Sequence, residues 1–229
     1  RVGEVFSPSF DKEVMAMKKL MLSLVAACAA LVGFGSYVQA WRGLPAGYTQ
    51  VEYIESTGSQ YIDTGIAPDT TTAIDFTFNL VQSVDSKAFF GQDWNSNRFL
   101  FNQQSSQFKF HGGGNLSGDL SSSYGDVIAG NDYRCQIEPT SSNNGTLTLT
   151  WGGVTRSCTV SLSVNAGKQL RVFGSNENKD HLSKIRVYGM KIWKGSELVA
   201  DLVPAIDGEG KGGLYNLIGE ANNWLANGG

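Results

Sequence analysis

Within seven residues, Gln92-Asp93-Trp94-Asn95-Ser96-Asn97-Arg98 gathers one indole, three amides, a carboxylate and a guanidinium. An aromatic ring can stack on the apolar face of a sugar, while amides, carboxylates and guanidinium groups bond its hydroxyls. Trp94, Asn95, Asn97 and Arg98 are therefore candidate ligand contacts. Trp94 has polar neighbours on both sides, which is unusual for a core residue; its other reading is a loop anchor packed on the domain. His111, Asn115 and Tyr124, in the Gly-rich stretch that follows, are further candidates. Other chemistries are poorly served. Glycoside cleavage needs two carboxylates held a few ångströms apart. The comparable spacing here, Asp207-Gly208-Glu209, lies among glycines and reads as a solvated turn. Ser, His and Cys show no triad spacing, and His111 and His181 stand apart in polar stretches. The expectation is a chain with no catalytic residues that is not an enzyme. Calcium takes oxygen ligands from loops, and Asp93, Asp119, Asp126 and Asp132 are loop acids, Asp93 and Asp126 being the metal candidates. No EF-hand or dense Asp/Asn ladder accompanies them, and no other cofactor is indicated.

The elements that must position these groups are strands. The chain has 229 residues, a formal net charge of -3, 28 Gly and 17% charged residues. That length suits one all-β domain. The absence of charge runs argues against a nucleic-acid partner or a membrane-surface patch. Ile74, Phe76 and Phe78 alternate with Asp75, Thr77 and Asn79; Leu147, Leu149 and Trp151 alternate with threonines; Phe99/Phe101 and Phe108/Phe110 form pairs. Period-two alternation predicts half-buried strands. Gly152-Gly153, Lys194-Gly195-Ser196 and Asn143-Asn144-Gly145 read as hairpin turns. Gly189 interrupts a long strand and predicts a bulge. The polar stretches 102–107, 111–125 and 176–180 read as exposed loops. Many short strands with frequent turns predict a sandwich or jelly roll.

The first forty residues belong to a different category. Lys18 and Lys19 precede an apolar run, Leu20 to Gly35, and Val38-Gln39-Ala40 supplies small residues before Trp41. This is the three-part pattern of a secretory signal peptide, and the run is shorter than the ~20 residues of a membrane span. The expected organisation is an upstream extension at 1–16, a signal at 17–40 and a single domain at 41–229, with Met17 or Met15 as initiator. The expected location is secreted, periplasmic or on the cell surface. A rival reading takes Val25-Ala26-Ala27-Cys28 as a lipobox with Cys28 lipidated, although the apolar run continues past it.

After cleavage two cysteines remain, Cys135 and Cys158. An exported protein can pair them. The Gly152-Gly153 hairpin sets Leu147 opposite Cys158, however, and a three-strand meander would hold the cysteines two strand spacings apart. That is about 9.6 Å, beyond the ~7 Å between Cα atoms that a disulfide spans. Two thiols are favoured over a bridge.

Two segments at opposite ends resemble a known domain. Leu44-Pro45, Gly47-Tyr48, Glu52-Tyr53-Ile54-Glu55-Ser56-Thr57-Gly58 and Gln60-Tyr61-Ile62-Asp63-Thr64-Gly65 form the first. Lys191-Ile192-Trp193, Asp201-Leu202-Val203-Pro204 and Gly213-Leu214-Tyr215-Asn216-Leu217 form the second. With Ala88-Phe89-Phe90-Gly91, they resemble the concanavalin A-like (laminin-G-like) jelly roll of bacterial surface and phage structural proteins. The resemblance implies an antiparallel two-sheet sandwich in which Tyr53, Ile54, Tyr61 and Ile62 pack the core. It also implies an exported, non-catalytic binding module for a glycan or polysaccharide, with a structural or protein-interaction domain as the alternative.

Overall fold

The computed structural model describes residues 43–229 apart from 95–96, 114, 120–126, 163, 165–167, 176–180, 219–223 and 227–229. Gly43–Gly229 is one compact unit. The segment Arg1–Arg42, with Cys28 and the whole leader reading, lies outside the described residues.

The strands, in chain order, are β1 (Tyr48–Gln50), β2 (Ile54–Glu55), β3 (Ile62–Asp63), β4 (Thr72–Leu80), β5 (Lys87–Trp94), β6 (Asn97–Gln104), β7 (Gln107–Gly113) and β8 (Asn115–Asp119), followed by β9 (Asp132–Pro139), β10 (Asn144–Trp151), β11 (Val154–Ser161), β12 (Arg171–Val172), β13 (Ile185–Lys194), β14 (Glu197–Asp207), β15 (Gly212–Asn216) and β16 (Trp224–Ala226). They form a ten-stranded sheet, β11-β10-β9-β4-β13-β14-β15-β16 with β1 on β14 and β2 on β13, and a six-stranded sheet, β3-β12-β5-β6-β7-β8. The strand pairings within both sheets are antiparallel. The fold is a two-sheet jelly-roll sandwich of the concanavalin A-like class. Among the described residues no helix is long and apolar enough to cross a membrane.

Alternation decides which face of each strand is buried. Phe76 and Phe78 on β4 turn inward, as do Phe89, Phe90, Phe99, Phe101 and Phe110 from the other sheet, all with no solvent exposure. Rings meet across the gap: Phe76 lies edge-on to Phe90 at 5.1 Å and Phe78 stacks on Phe89 at 5.1 Å. Such aromatic pairs add about 1 kcal/mol each beyond the area they bury. The hairpin turns are specific. Gly152 and Gly153 both hold positive φ, +51° and +80°, the type I′ geometry that matches strand twist. A register shift between Val187 and Gly189 places a bulge in β13.

Three sequence expectations change. The stretches 102–107 and 111–125 are not simply loops: β6 runs through Gln104, and only Ser105-Ser106 turns the chain into β7, which carries His111 to Gly113. β8 follows at Asn115. The extent of β6 and β7 was hidden because the inward positions beyond Phe101 and Phe110 are Gln103 and Gly112, which break the apolar alternation. Tyr53 is not core. The residue is 37% exposed, and the Arg186 guanidinium lies 4.7 Å over its ring. Tyr61 is only part-buried, whereas Ile54 and Ile62 are buried.

β9, β10 and β11 form a meander in which Leu149 pairs with Cys135 and Leu147 with Cys158. The middle strand thus stands between the two thiols.

Candidate ligand cleft on the six-stranded sheet

Directly paired residues in a sheet share a face, and every second residue along a strand returns to it. In the β5–β6–β7 ladder, Asp93 pairs with Arg98, Gly91 with Leu100, and Leu100 with His111. Asp93, Arg98, Leu100, Asn102 and His111 therefore share the face opposite the phenylalanine core. A second layer comes from chain segments distant in sequence. After β12 the backbone turns sharply at Phe173, φ +70°, and the Ser175 carbonyl accepts a 3.0 Å hydrogen bond from the Asp93 N–H. Ser86, φ +59°, precedes β5, and its carbonyl lies 2.8 Å from His181 Nδ1. The space between the sheet face and these segments is a half-open cleft of about 150 Å³ lined by Ser86, Asp93, Arg98, Asn102, His111, Ser175 and His181, with Leu100 and Ala88 as its apolar floor.

Among the described residues, Ser86 in the left-handed region lines this cleft and Phe173, also left-handed, lies in the core two residues before Ser175; Ser105 and Ser106 simply turn a hairpin. Left-handed backbone costs a bulky residue of order 1–3 kcal/mol and persists where surrounding packing enforces it.

The cleft's electrostatics follow from its partners. Asp93 Oδ1 accepts from Arg98 Nε at 2.9 Å, which orients a guanidinium that is 37% exposed. His111 is only 7% exposed, and neither ring nitrogen has a partner. Burial first, then the positive charge of Arg98, hold its pKa below the usual imidazole value, with Lys109 adding to the effect and Asp93 opposing it. The shift favours the uncharged ring. Asn102, 9% exposed, has an unpartnered Oδ1, and Ser175, 4% exposed, an unpartnered Oγ. A buried polar group left unmatched costs about 1–3 kcal/mol, and three of them converge on this cleft. A ligand with hydroxyl groups, each both donor and acceptor, is the chemistry that removes that cost as the side chains turn to it.

Of the residues singled out in the sequence, Arg98, His111 and Asp93 meet here. Trp94 and Asn97 pair at the end of the β5–β6 ladder, and their side chains, like that of Asn115, lie outside the described part. Asn95, Tyr124 and Asp126 also lie outside it. Ser86, Asn102 and Ser175 had no local signal. His181, read as standing apart, shares the cleft with His111. Asp93 is engaged by Arg98, and Asp132 accepts from Asn79 Nδ2 at 2.8 Å and the Tyr188 hydroxyl at 2.9 Å. Among the described residues no group of three His, Cys, Asp or Glu side chains could hold a metal ion. Asp207 Oδ1 accepts from the N–H groups of Glu209 and Lys211 at 3.0 and 2.8 Å, so its carboxylate shapes the turn after β14.

No protein-family model and no curated protein matches the chain. Among solved structures it is similar to scytalido-glutamic peptidase with a transition-state analog inhibitor, at 13% identity, 74% of this chain, 96% of that chain and TM-score 0.37. It is also similar to domains LG4-5 of the mouse laminin alpha1 chain, at 11% identity, 78% of this chain, 49% of that chain and TM-score 0.40. The Emp47p carbohydrate recognition domain is a third, at 11% identity, 67% of this chain, 91% of that chain and TM-score 0.31. Likeness at this level concerns fold alone. One expectation is corrected. The chain was expected not to be an enzyme because no catalytic spacing is present in its sequence, yet peptidases stand among the structures it resembles. The physical reason is that spacing along a chain cannot register groups brought together from different strands, as this cleft brings Asp93, His111 and His181. The expectation of no enzymatic activity is withdrawn.

Proposed function

We propose that this chain is an exported glycan-binding jelly roll whose ligand sits in the cleft on the six-stranded sheet. One observation carries the reading: Asn102, His111 and Ser175 present buried, unmatched polar atoms to a single cleft beside an oriented Arg98. Hydroxyl groups answer unmatched donors and acceptors alike. The export half rests on the Leu20–Gly35 run and the Val38-Gln39-Ala40 site, and N-terminal sequencing of the protein from its producing cells tests it: a first residue of Trp41 supports it, and retention of residues 17–40 ends it.

The binding half is tested on a glycan array with the purified chain and with Asn102→Ala. Supported, the reading gives binding that the variant weakens by about tenfold, from the loss of one or two hydrogen bonds. Folded protein that binds no glycan rejects it.

A further inference from the structure

The cleft does not exhaust the polar chemistry of this sheet face. Arg171 on β12 pairs with Gly91 on one side and with Asp63 of the edge strand β3 on the other. By register, Asp63, Arg171, Gly91, Leu100 and His111 form one row across five strands. Arg171 repeats the arrangement of Arg98. An aspartate meets its Nε, here Asp63 Oδ2 at 3.5 Å. The guanidinium lies 4.2 Å over the Tyr61 ring, and its Nη1 is buried without a partner. An unmatched nitrogen on a charged group is more costly than a neutral one. Between the two arginines, Gly91 adds no side chain to the row.

We infer that the ligand is a linear, uncharged glycan chain read at two positions, the His111–Asn102–Ser175 cleft and a second subsite at Arg171 and Tyr61. The inference rests on the glycan reading above. Two arguments select a chain. Arg171 and Arg98 stand two strands and two residues apart, about 12 Å between Cα atoms, which is more than one sugar ring covers. The second subsite also lies at the sheet edge, where a chain can run on. Charge selects an uncharged ligand. Each arginine is already neutralised by its own aspartate, and the whole chain carries a net charge of -3. A carboxylate arriving beside Asp63 and Asp93 meets repulsion, whereas a hydroxyl satisfies Nη1 at no such cost.

The test is calorimetric titration of the full chain with gluco-, xylo- and manno-oligosaccharides of increasing length, and with oligouronates as the charged counterpart. The result expected is an affinity that rises about tenfold from a single sugar to a short chain and then levels. Arg171→Gln should abolish that rise and leave single-sugar affinity unchanged. Because Arg171 is largely buried, Asp63→Asn serves as the second variant. It keeps an oxygen for the Gly65 N–H, 3.0 Å from Asp63 Oδ1, yet removes the charge that aligns Arg171, so it should flatten the rise in a fully folded protein. Affinity independent of length, a rise that survives both variants, or preference for oligouronates overturns the two-position inference while the glycan reading stands. No binding at any length or charge overturns both.

Discussion

The two outward faces of this sandwich differ in how their polar groups are matched. On the ten-stranded sheet Arg134 is paired to Asp75, Arg186 to Glu55 at 2.7 Å, and Lys191 to Asp201 at 3.1 Å. Asn79 donates to Asp132 and to the Gly130 carbonyl, at 2.8 and 3.0 Å, and the Thr150 and Thr155 hydroxyls meet at 3.1 Å. On the six-stranded sheet, Asn102, His111, Ser175 and Arg171 each carry a buried atom with no partner, and left-handed Ser86 lines the same region. A matched polar face has its desolvation cost offset within the protein. An unmatched one keeps a cost that a ligand's hydroxyls could remove, and the difference is invisible to composition.

The comparison breaks most sharply at two glycines. Gly91, φ +154°, lies so close to β6 that an added Cβ would strike the Phe99 carbonyl and the Leu100 backbone. Gly130, φ +88°, beside the ten-stranded sheet, has open space around it. Gly91→Ala should cost about 3 kcal/mol or more, and Gly130→Ala about 1 kcal/mol, both read from urea unfolding midpoints. Similar costs would show that the β5–β6 contact is loose. Next come two asparagines with opposite signs. Asn79→Leu strips Asp132 and Gly130 of a donor and should destabilise by about 1–2 kcal/mol. Asn102→Leu removes an unmatched oxygen and should stabilise by about 1 kcal/mol while weakening glycan binding. The same sign for both would erase the distinction between the faces.

Acid provides the third test. The folded pKa of His111 is lowered, mainly by burial, so between that value and the unfolded one near 6.5 the unfolded chain binds more protons. Stability should therefore fall as pH drops through the ordinary imidazole range. His111→Gln should flatten that limb in thermal scans. Asp69 titrates lower still. Burial would raise it, but the Lys194 ammonium at 2.6 Å and Thr71 outweigh burial and hold it at about 2. Its contribution is whole above the unfolded carboxylate value near 3.9 and is lost as pH falls toward 2. Lys194→Met should move the Asp69 carboxyl signal upward in an NMR titration and leave the His111 limb untouched. The smallest effect belongs to Arg134→Gln. Its ion pair is 45% exposed on the arginine side, so stability should change by about 0.5 kcal/mol or less, with no change in glycan affinity.

Much of the sandwich was legible wherever alternation put large apolar groups on one side. Thr146 to Trp151 announced β10, Gly152-Gly153 its hairpin, and Gly189 the bulge. Phe99/Phe101 and Phe108/Phe110 marked the cores of β6 and β7, but their extensions past Asn102 and His111 were not legible, because the next inward positions are Gln103 and Gly112 and alternation then lacks an apolar residue. Tyr53 departs from the core expectation for a different reason. An aromatic residue in a strand is read as core until the cation beside it, here Arg186, is seen to provide a surface partner. The cleft was half legible. Asp93 and Arg98 are five residues apart and share a hairpin, so inspection of one segment finds both. Ser86, Ser175 and His181 reach the cleft through turns whose geometry is set by tertiary packing and leaves no local mark.

The meander of β9, β10 and β11 has a consequence for labelling kinetics. Cys135 is fully enclosed, and desolvation pushes its thiol well above the ordinary range, whereas Cys158 on edge strand β11 is partly accessible. A thiol-modifying reagent should therefore reach Cys158 through fraying of one strand and Cys135 only after the sheet itself opens. In a chain lacking residues 1–40, and with them Cys28, two rates then separate local breathing from global unfolding.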